Sequence, residues 1–364
     1  MGIMMPYIAV QVISYCSKDA EEDLKLLISS LERVRYPQDR WELIFIDNPS
    51  PQGMMRGWIE ATVLPKAGVT LPRVRLLCSD KNDGFAGGHQ RGYEARSAET
   101  DVLFLLNQDA YIEPDTITHA VAAFDDSHIA LVQSQIRLAQ DPSRLNVLGN
   151  CLHFLGFGFS DGNGQTPAEA SRSRLPHFFG SGAALFVRVQ ALEPYGYLFD
   201  PVYFMYHEDV DLSWRMRLLG FDIAFPENSI AYHRYEFSRS TAKFVWMEQN
   251  RWRTHLSRLK WRTLLVFMPA WVLMELGALV FAARSGYLGK RLFAYRFFFD
   301  PNVWSDIKKR RLETRRLRLH TDRDMLAMMV GRLTSQEVEN VLLKYLVNPL
   351  LNVYFRGLLR FIVW

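Results

Sequence analysis

Residues 102–109 read Val-Leu-Phe-Leu-Leu-Asn-Gln-Asp. The first five are apolar without interruption, as in a strand buried on both faces of a parallel sheet. The run stops at Asn107 and Asp109, and Glu113, Pro114 and Asp115 follow. A carboxylate at the carboxyl end of a central strand lies where open α/β sheets bind their ligands. Asp109 offers oxygen ligands to a hard divalent cation that can also bridge to substrate phosphates. The competing reading is that Asp109 only turns the chain before a helix starting near Pro114.

The segments before this strand give it a context. Tyr7–Ser14 reads as a first strand. A helix from about Asp19 to Val34 follows, with Leu24, Leu27, Ile28 and Leu31 at helical spacing. Trp41–Ile46 is a second strand that closes on Asp47-Asn48-Pro49-Ser50, and Val74–Cys78 is a third. A Gly-rich loop, Asn82-Asp83-Gly84-Phe85-Ala86-Gly87-Gly88, leads into a helix ending near Arg96. Strand and helix alternating in this way predict an α/β fold: a Rossmann-like, mostly parallel mixed sheet with helices on both faces. The loop is not GxGxxG and no Walker lysine is present, which argues against a dehydrogenase or a P-loop ATPase. Its glycines let backbone amides approach a phosphate or sugar, or they permit close helix–strand packing. Ser14 and Tyr15 end the first strand beside Asp47 and Asn48 at the end of the second. There a carboxylate can accept from a base N–H or a ribose hydroxyl, or Asp47-Asn48-Pro49 forms an Asx turn.

The chain has 364 residues, is 49% hydrophobic and 13% aromatic, and carries a net charge of +4. A large core is therefore available and global disorder is excluded. Much of the basic excess lies after residue 250, interleaved with Trp, Leu and Phe, which fits an anionic membrane surface better than a nucleic acid. Cys16, Cys78 and Cys151 form no metal-binding spacing and point to a reducing compartment. Met1–Cys16 has no basic flank or cleavage site and reads as the first strand rather than a signal peptide.

Further along, Ile129–Ile136 reads as one strand, 146–161 as a hairpin, and 162–176 as a polar loop. Phe199–Arg215 is the second strong signal. Glu208, Asp209 and Asp211 open a helix directly after a run of aromatics. Acids at a helix start are favoured by its dipole, by about 0.3–1 kcal/mol each, which accounts for Asp211 as a cap. For Glu208 and Asp209 the aromatic wall limits water and can raise a carboxylate pKa, which suits a general base. His233 ends a short segment after Ser229 and is followed by Arg234 and, further on, Arg239, two cations able to pair with a diphosphate.

The ordered set Val-Ile-Ser-Tyr (12–15), Ile-Asp-Asn-Pro-Ser (46–50), Asn-Asp-Gly-Phe-Ala-Gly-Gly (82–88) and Leu-Leu-Asn-Gln-Asp-Ala (105–110) resembles the family 2 glycosyltransferases, nearest their rhamnosyltransferase-like branch. That resemblance implies the GT-A fold and a nucleotide-sugar donor that is dTDP-, UDP- or GDP-linked. It implies that Asp47 contacts the nucleobase and that Ser14, Tyr15, Asn48, Asn82, Gly84, Phe85, Gly87, Gly88, Asn107, Gln108, Arg234 and Arg239 border the donor. Asp109 is then the surviving carboxylate of the family's Asp-x-Asp metal site, with Asn107 in the first position. His233 completes a site for Mg2+ or Mn2+. Asp209 is the base and Glu208 the second choice. The resemblance further implies inverting transfer of a sugar, with rhamnose a candidate, to a lipid-linked or polysaccharide acceptor. A non-catalytic sugar-nucleotide-binding scaffold is the alternative, supported by Asn107.

The composition changes near Ser240, which divides the chain into a catalytic domain, 1–240, and a helical basic and apolar region, 241–364. Gln249-Asn250-Arg251-Trp252 is one residue short of the Gln-x-x-Arg-Trp pattern of processive synthases. Leu264–Ala283 is long enough to span a bilayer at about 1.5 Å per residue, but it contains Pro269 and a costly Glu275. A helix lying in the cytoplasmic membrane interface fits better than a single crossing. The basic run Lys308–Arg318 and the aliphatic–aromatic stretch 340–364 extend the same pattern.

Overall fold

The computed structural model describes residues 5–235, 241–334 and 343–364. Residues 1–4, Arg239 and residues 340–342, all included in the sequence reading, lie outside them. The chain runs through β1 (Ile8–Tyr15), α1 (Ala20–Leu31), β2 (Trp41–Asn48), α2 (Arg56–Thr62), β3 (Arg73–Cys78), α3 (Gly84–Ala95), β4 (Val102–Leu106), β5 (Ala110–Ile112) and α4 (Thr116–Ala122). Next come β6 (Ile129–Gln133), β7 (Gln135–Leu138), β8 (Asp141–Val147), β9 (Gly149–Leu152), β10 (Gly158–Asp161), α5 (Pro167–Ala170) and β11 (Ala184–Arg188). The remainder is α6 (Glu208–Leu218), β12 (Asp222–Ala224), β13 (Ile230–His233), α7 (Thr241–Arg258), α8 (Trp261–Arg284), α9 (Leu288–Ala294), α10 (Pro301–Leu317), α11 (Asp322–Ala327) and α12 (Asn348–Phe361).

The main sheet has the order β12-β6-β11-β4-β1-β2-β3. Strands β4, β1, β2 and β3 are parallel, and β11 is antiparallel to both β4 and β6. Every residue of β4 is buried, as its unbroken apolar run requires. Val102, Phe104 and Leu106 point to the face covered by α1, α2 and α4, while Leu103 and Leu105 point to the face covered by α3 and α6. Each large apolar side chain buried this way contributes about 1.5–3 kcal/mol. Phe104 stacks on Phe186 of the neighbouring β11, with centroids 3.8 Å apart.

Two expectations change here. The single strand read over Ile129–Ile136 is two strands: at Ser134 the chain leaves the main sheet and enters a second one, β5-β13-β7-β8. Ser134 Oγ meets Ser229 Oγ at 2.9 Å and Gln135 N donates to Ser229 O, so the switch is pinned by hydrogen bonds that an apolar pattern does not reveal. The Gly-rich segment is not a loop preceding a helix, because α3 starts at Gly84. Gly84 has φ +69°, and a Cβ there would lie 2.4 Å from Phe204 O; Cβ atoms on Gly87 and Gly88 would meet Asp83 and Ile13 at 2.9 and 2.8 Å. These glycines answer first to close packing.

A third core joins the hairpin β9–β10 and one side of α6 to the C-terminal helices. Val210, Trp214 and Leu218 of α6 pack with Trp252, Leu256, Phe267, Phe297 and Phe355. The other side of α6, Leu212 and Met216, packs on the main sheet. The division drawn at residue 240 therefore crosses a continuous core. Of the described helices, α8 alone is long and apolar enough to cross a membrane, and little of it is buried.

Candidate active site

The sheet topology gathers polar residues at one edge. β4 ends at Leu106, Asn107 N donates to Ala183 O at 3.1 Å, and β5 begins one residue after Asp109. β13 pairs antiparallel with β5, which sets His233 opposite Ala110, and Arg234 N donates to the Asp109 carbonyl. His233 Nε2 consequently lies 3.3 Å from Asp109 Oδ1 and 3.2 Å from Asn107 Nδ2. On the other ring edge Asn146 Oδ1 lies 3.1 Å from His233 Nδ1. An amide oxygen only accepts, so this network assigns the proton to Nδ1 and leaves the Nε2 lone pair facing Asp109. The Asp109 side chain is 31% exposed, so the pair opens outward.

That donor set suits Mg2+ or Mn2+. Asp109 supplies an anionic oxygen, His233 a bare imidazole nitrogen and Asn107 a neutral amide, and such ions complete their shell with water and substrate phosphates. Among the described residues no group of three or more His, Cys, Asp or Glu forms a self-sufficient metal cage.

Asp209, at the start of α6, reaches the turn that follows Ser181. Its Oδ2 is 3.5 Å from the Gly182 amide, and Oδ1 accepts from Val210 N. Gly182 adjoins Ala183, whose carbonyl holds Asn107, so a single turn connects Asp209 to the end of β4. Glu208 Oε2 is buried with no hydrogen-bond partner. Burial, and then the charge of Asp209, raises the Glu208 carboxyl well above its usual range. Burial also pushes Asp209 up, to about 6, against backbone hydrogen bonds that favour its charged form. The loop before this pair is strained: Phe204, Tyr206 and His207 all have positive φ, at 57°, 67° and 65°. Asn250 Nδ2 on α7 braces that loop by donating to the carbonyls of Tyr203, Met205 and Tyr206.

A second group of polar residues lies at the ends of β1 and β2. Their register sets Ser14 beside Asp47 and Tyr15 beside Asn48. Asp47 Oδ1 accepts from Ser14 Oγ at 2.8 Å and from Met55 N at 3.1 Å. A bond to a residue eight positions on is not an Asx turn. Asp47 Oδ2 and Asn48 Oδ1 are buried without partners, an arrangement that costs free energy unless a ligand completes it.

Several residues expected to touch a ligand are otherwise engaged. Gln108 exchanges two hydrogen bonds with the Tyr15 backbone, so its amide ties β1 to β4. Asn82 Oδ1 accepts from Gly84 N, an Asx turn into α3. The Phe85 ring stacks edge-on against His89 and would touch a Cβ on Gly182. Arg234 pairs with Asp23 at 3.1 Å and lies 3.9 Å from Asp19, turned toward α1 rather than free for a diphosphate. Asp211 is not a cap: at 1% exposure it accepts from Arg215, Arg258 and the Tyr203 hydroxyl. Sequence reasoning missed Asn146, Asn250 and Asp23, whose carboxyl burial raises to about 6 near Asp109 and Arg234. Spacing gave no signal for them, since each reaches the site through a different part of the fold.

Residues 6–254, more than half of the chain, match the family model described as "Glycosyltransferase like family 2". No curated protein sequence matches. Similar solved structures include GalNAc-T7 with UDP, GalNAc and Mn2+, at 13% identity and a TM-score of 0.53, covering 84% of this chain and 58% of that one. S. aureus TarS has 13% identity and a TM-score of 0.50, covering 96% and 53%. A mannosyltransferase from Pyrobaculum calidifontis in complex with GDP-Man and Mn2+ has 15% identity and a TM-score of 0.49, covering 86% of both chains.

Proposed function

This chain belongs to glycosyltransferase family 2, and we propose on that premise that it moves a sugar from a nucleotide-sugar donor to a lipid-linked or polysaccharide acceptor, with inversion at the anomeric carbon. The observation that carries the reading is the convergence of Asp109 and His233, 3.3 Å apart, with Asp209 joined to them through the Gly182–Ala183 turn. A nucleotide diphosphate is a charged leaving group, and the acceptor hydroxyl needs a proton acceptor. One site of each kind suffices for a single displacement.

Asp47 Oδ2 and Asn48 Oδ1, unpartnered and buried, receive the N–H groups of the base. Asp109 and His233 hold a divalent ion, with Mn2+ favoured by its presence in GalNAc-T7. When bound, that ion supplies Lewis-acid stabilisation of the departing diphosphate. Asp209 takes the acceptor proton. Glu208, whose carboxyl is raised by burial and by the charge of Asp209, is the second candidate for that role. The donor is dTDP-, UDP- or GDP-linked, and rhamnose is the sugar that the sequence resemblance suggests. α8 lies in the cytoplasmic membrane interface, with its exposed face of Leu265, Met268, Val272 and Leu276 against lipid.

A non-catalytic sugar-nucleotide-binding scaffold is the second reading, favoured by one observation: Asn107 removes one anionic ligand beside His233. Thermal-shift titration with dTDP-, UDP- and GDP-sugars, with and without Mn2+, followed by donor-consumption assays, separates the two. The enzyme reading expects metal-dependent stabilisation by one nucleotide class and metal-dependent turnover. Stabilisation with no turnover on any acceptor supports the scaffold, and no stabilisation by any donor refutes both.

A further inference from the structure

A cavity of about 690 Å³ lies between the end of α7, the start of α8 and α10, apart from the residues assigned above. Lys260, Lys308, Arg311, Arg315 and Arg318 line it along with Arg258, and no acidic side chain does. Three of these cations have internal partners. Arg258 binds Asp211, Arg311 donates to the carbonyls of Leu256 and Leu259, and Arg318 binds Asp322. Among the described residues Lys260, Lys308 and Arg315 join no ion pair. No carboxylate of the described residues contacts these three side chains directly, and Lys260 is held below its usual range by burial and then by Arg318, with Asp322 opposing them in part.

The rim has a second character. Trp261 and Trp304 both line the cavity and are 51% and 39% exposed. From Trp261 one face of α8 continues outward through Leu265, Met268, Val272, Leu276 and Val280, all exposed. The spacing is three or four residues, so these side chains form a single stripe. A cationic hollow, a pair of tryptophans and an apolar stripe thus follow one another, matching the sequence of head group, interface and acyl chain in a lipid monolayer.

We infer that this cavity binds the phosphate head group of an anionic membrane lipid whose acyl chains lie along the α8 stripe. The inference rests on the interfacial reading of α8 and adds a defined site to it. A soluble phosphate would satisfy the cations but would leave the adjoining stripe unexplained. The site anchors the enzyme in a fixed orientation, because α7, which supplies one wall, also carries Asn250 beneath the catalytic loop.

The test uses the full chain and vesicles of phosphatidylcholine alone or mixed with phosphatidylglycerol. Wild type is compared with the triple variant Lys260→Gln, Lys308→Gln, Arg315→Gln, and with a control, Lys25→Gln, Arg172→Gln, Arg174→Gln, that removes the same charge elsewhere. Wild type and control are expected to prefer mixed vesicles, and the cavity variant to lose about a hundredfold of that preference while keeping its binding to neutral vesicles. If the triple variant fails to fold, Lys308→Glu alone, on the exposed face of α10, is expected to lower the preference at least tenfold. A cavity variant with undiminished preference overturns the proposal. Equal wild-type binding to both vesicles also overturns it and leaves the interfacial reading standing, whereas no binding to either removes both. Calorimetry with inorganic pyrophosphate covers the remaining source: binding that the triple variant abolishes, with vesicle preference untouched, assigns the cavity to soluble phosphate and overturns the lipid.

Discussion

Asp209 is under two opposed demands. Asp209 has to be charged to accept a proton, yet burial favours its neutral form and raises it to about 6. Turnover should therefore rise with pH through about 6 and level off above it, and Asp209→Asn should lower kcat by about 10²-fold or more while donor binding persists. The stability consequence has the reverse sign. A carboxyl raised from 3.8 in the unfolded chain favours folding below that value and loses this contribution as pH climbs through the folded-state value. Asp209→Asn should then stabilise the fold at pH 8 by on the order of 1 kcal/mol once solvent exposure is allowed for, read as a higher thermal midpoint, and have little effect at pH 4. A variant that is fully active, or no more stable than wild type at pH 8, would count against this burial and this role. His233 depends on a residue the sequence did not reveal. Asn146→Ala frees Nδ1 from its acceptor, and the metal concentration needed for half-maximal activity should increase by about 10- to 100-fold with kcat at saturating metal nearly retained. Loss of kcat at saturating metal with no change in metal requirement would contradict the orienting role. Asp109, Asp209 and His233 stood out because acids and histidine interrupt apolar runs. Asn146 and Asp23 did not, because a polar residue in a polar segment looks alike whether or not the fold turns it inward.

Among elements, the loop 204–207 is the one held against its own preference. Three positive-φ residues within four positions cost about 1–3 kcal/mol each unless the surroundings enforce them. Two neighbours do so: Asn250 donates to the carbonyls of Met205 and Tyr206 in the loop and of Tyr203 just before it, and Phe204 O accepts from Ala86 N at the start of α3. Asn250→Ala should let the loop relax, lowering kcat at least tenfold with a smaller change in donor affinity and reducing stability by about 1–3 kcal/mol. A kcat equal to wild type would show that the loop is rigid without this brace. The near-match at 249–252 to a synthase motif thus marks a segment that does contact the catalytic loop, although through Asn250 and not through the motif's own pattern. Elements with a single solvent relation were the easiest to read. β4, buried on both faces, and α1, buried on one, follow directly from their apolar spacing. The break at Ser134 was hidden because the strands on either side are equally buried, and hydrogen bonds to Ser229, 95 positions later, decide where the chain changes sheets.

At the scale of the molecule, composition suggested two parts, and the packing joins them. Glu275, which looked costly in the middle of an apolar helix, is turned inward. Burial alone would raise its carboxyl, but the guanidiniums of Arg251 and Arg291 outweigh burial and hold it down at about 2. Trp252 and Tyr295 donate to the same carboxylate. Glu275 borders the apolar stripe of α8, seven residues after Met268, and its carboxylate turns inward to Arg251 and Arg291, a distinction that a linear hydropathy reading averages away. α6 ties these parts to the site: its first turn carries Glu208 and Asp209, and one turn of the helix later its core side chains face α7. Truncation after Ser240 would strip Trp214 and Val210 of the part of their core that α7 to α12 supply, and buried Asp211 of Arg258, one of its two guanidinium partners. Removing one member of a buried ion pair costs about 3–5 kcal/mol, and exposing a cluster of large apolar side chains adds to that. Such a loss is comparable to the whole stability of an ordinary domain. A 1–240 fragment should consequently be insoluble or molten, with loss of near-ultraviolet circular dichroism and no cooperative thermal transition. A soluble fragment that unfolds cooperatively and still binds the donor would mean that the shared core is dispensable and that the catalytic fold ends where the composition changes.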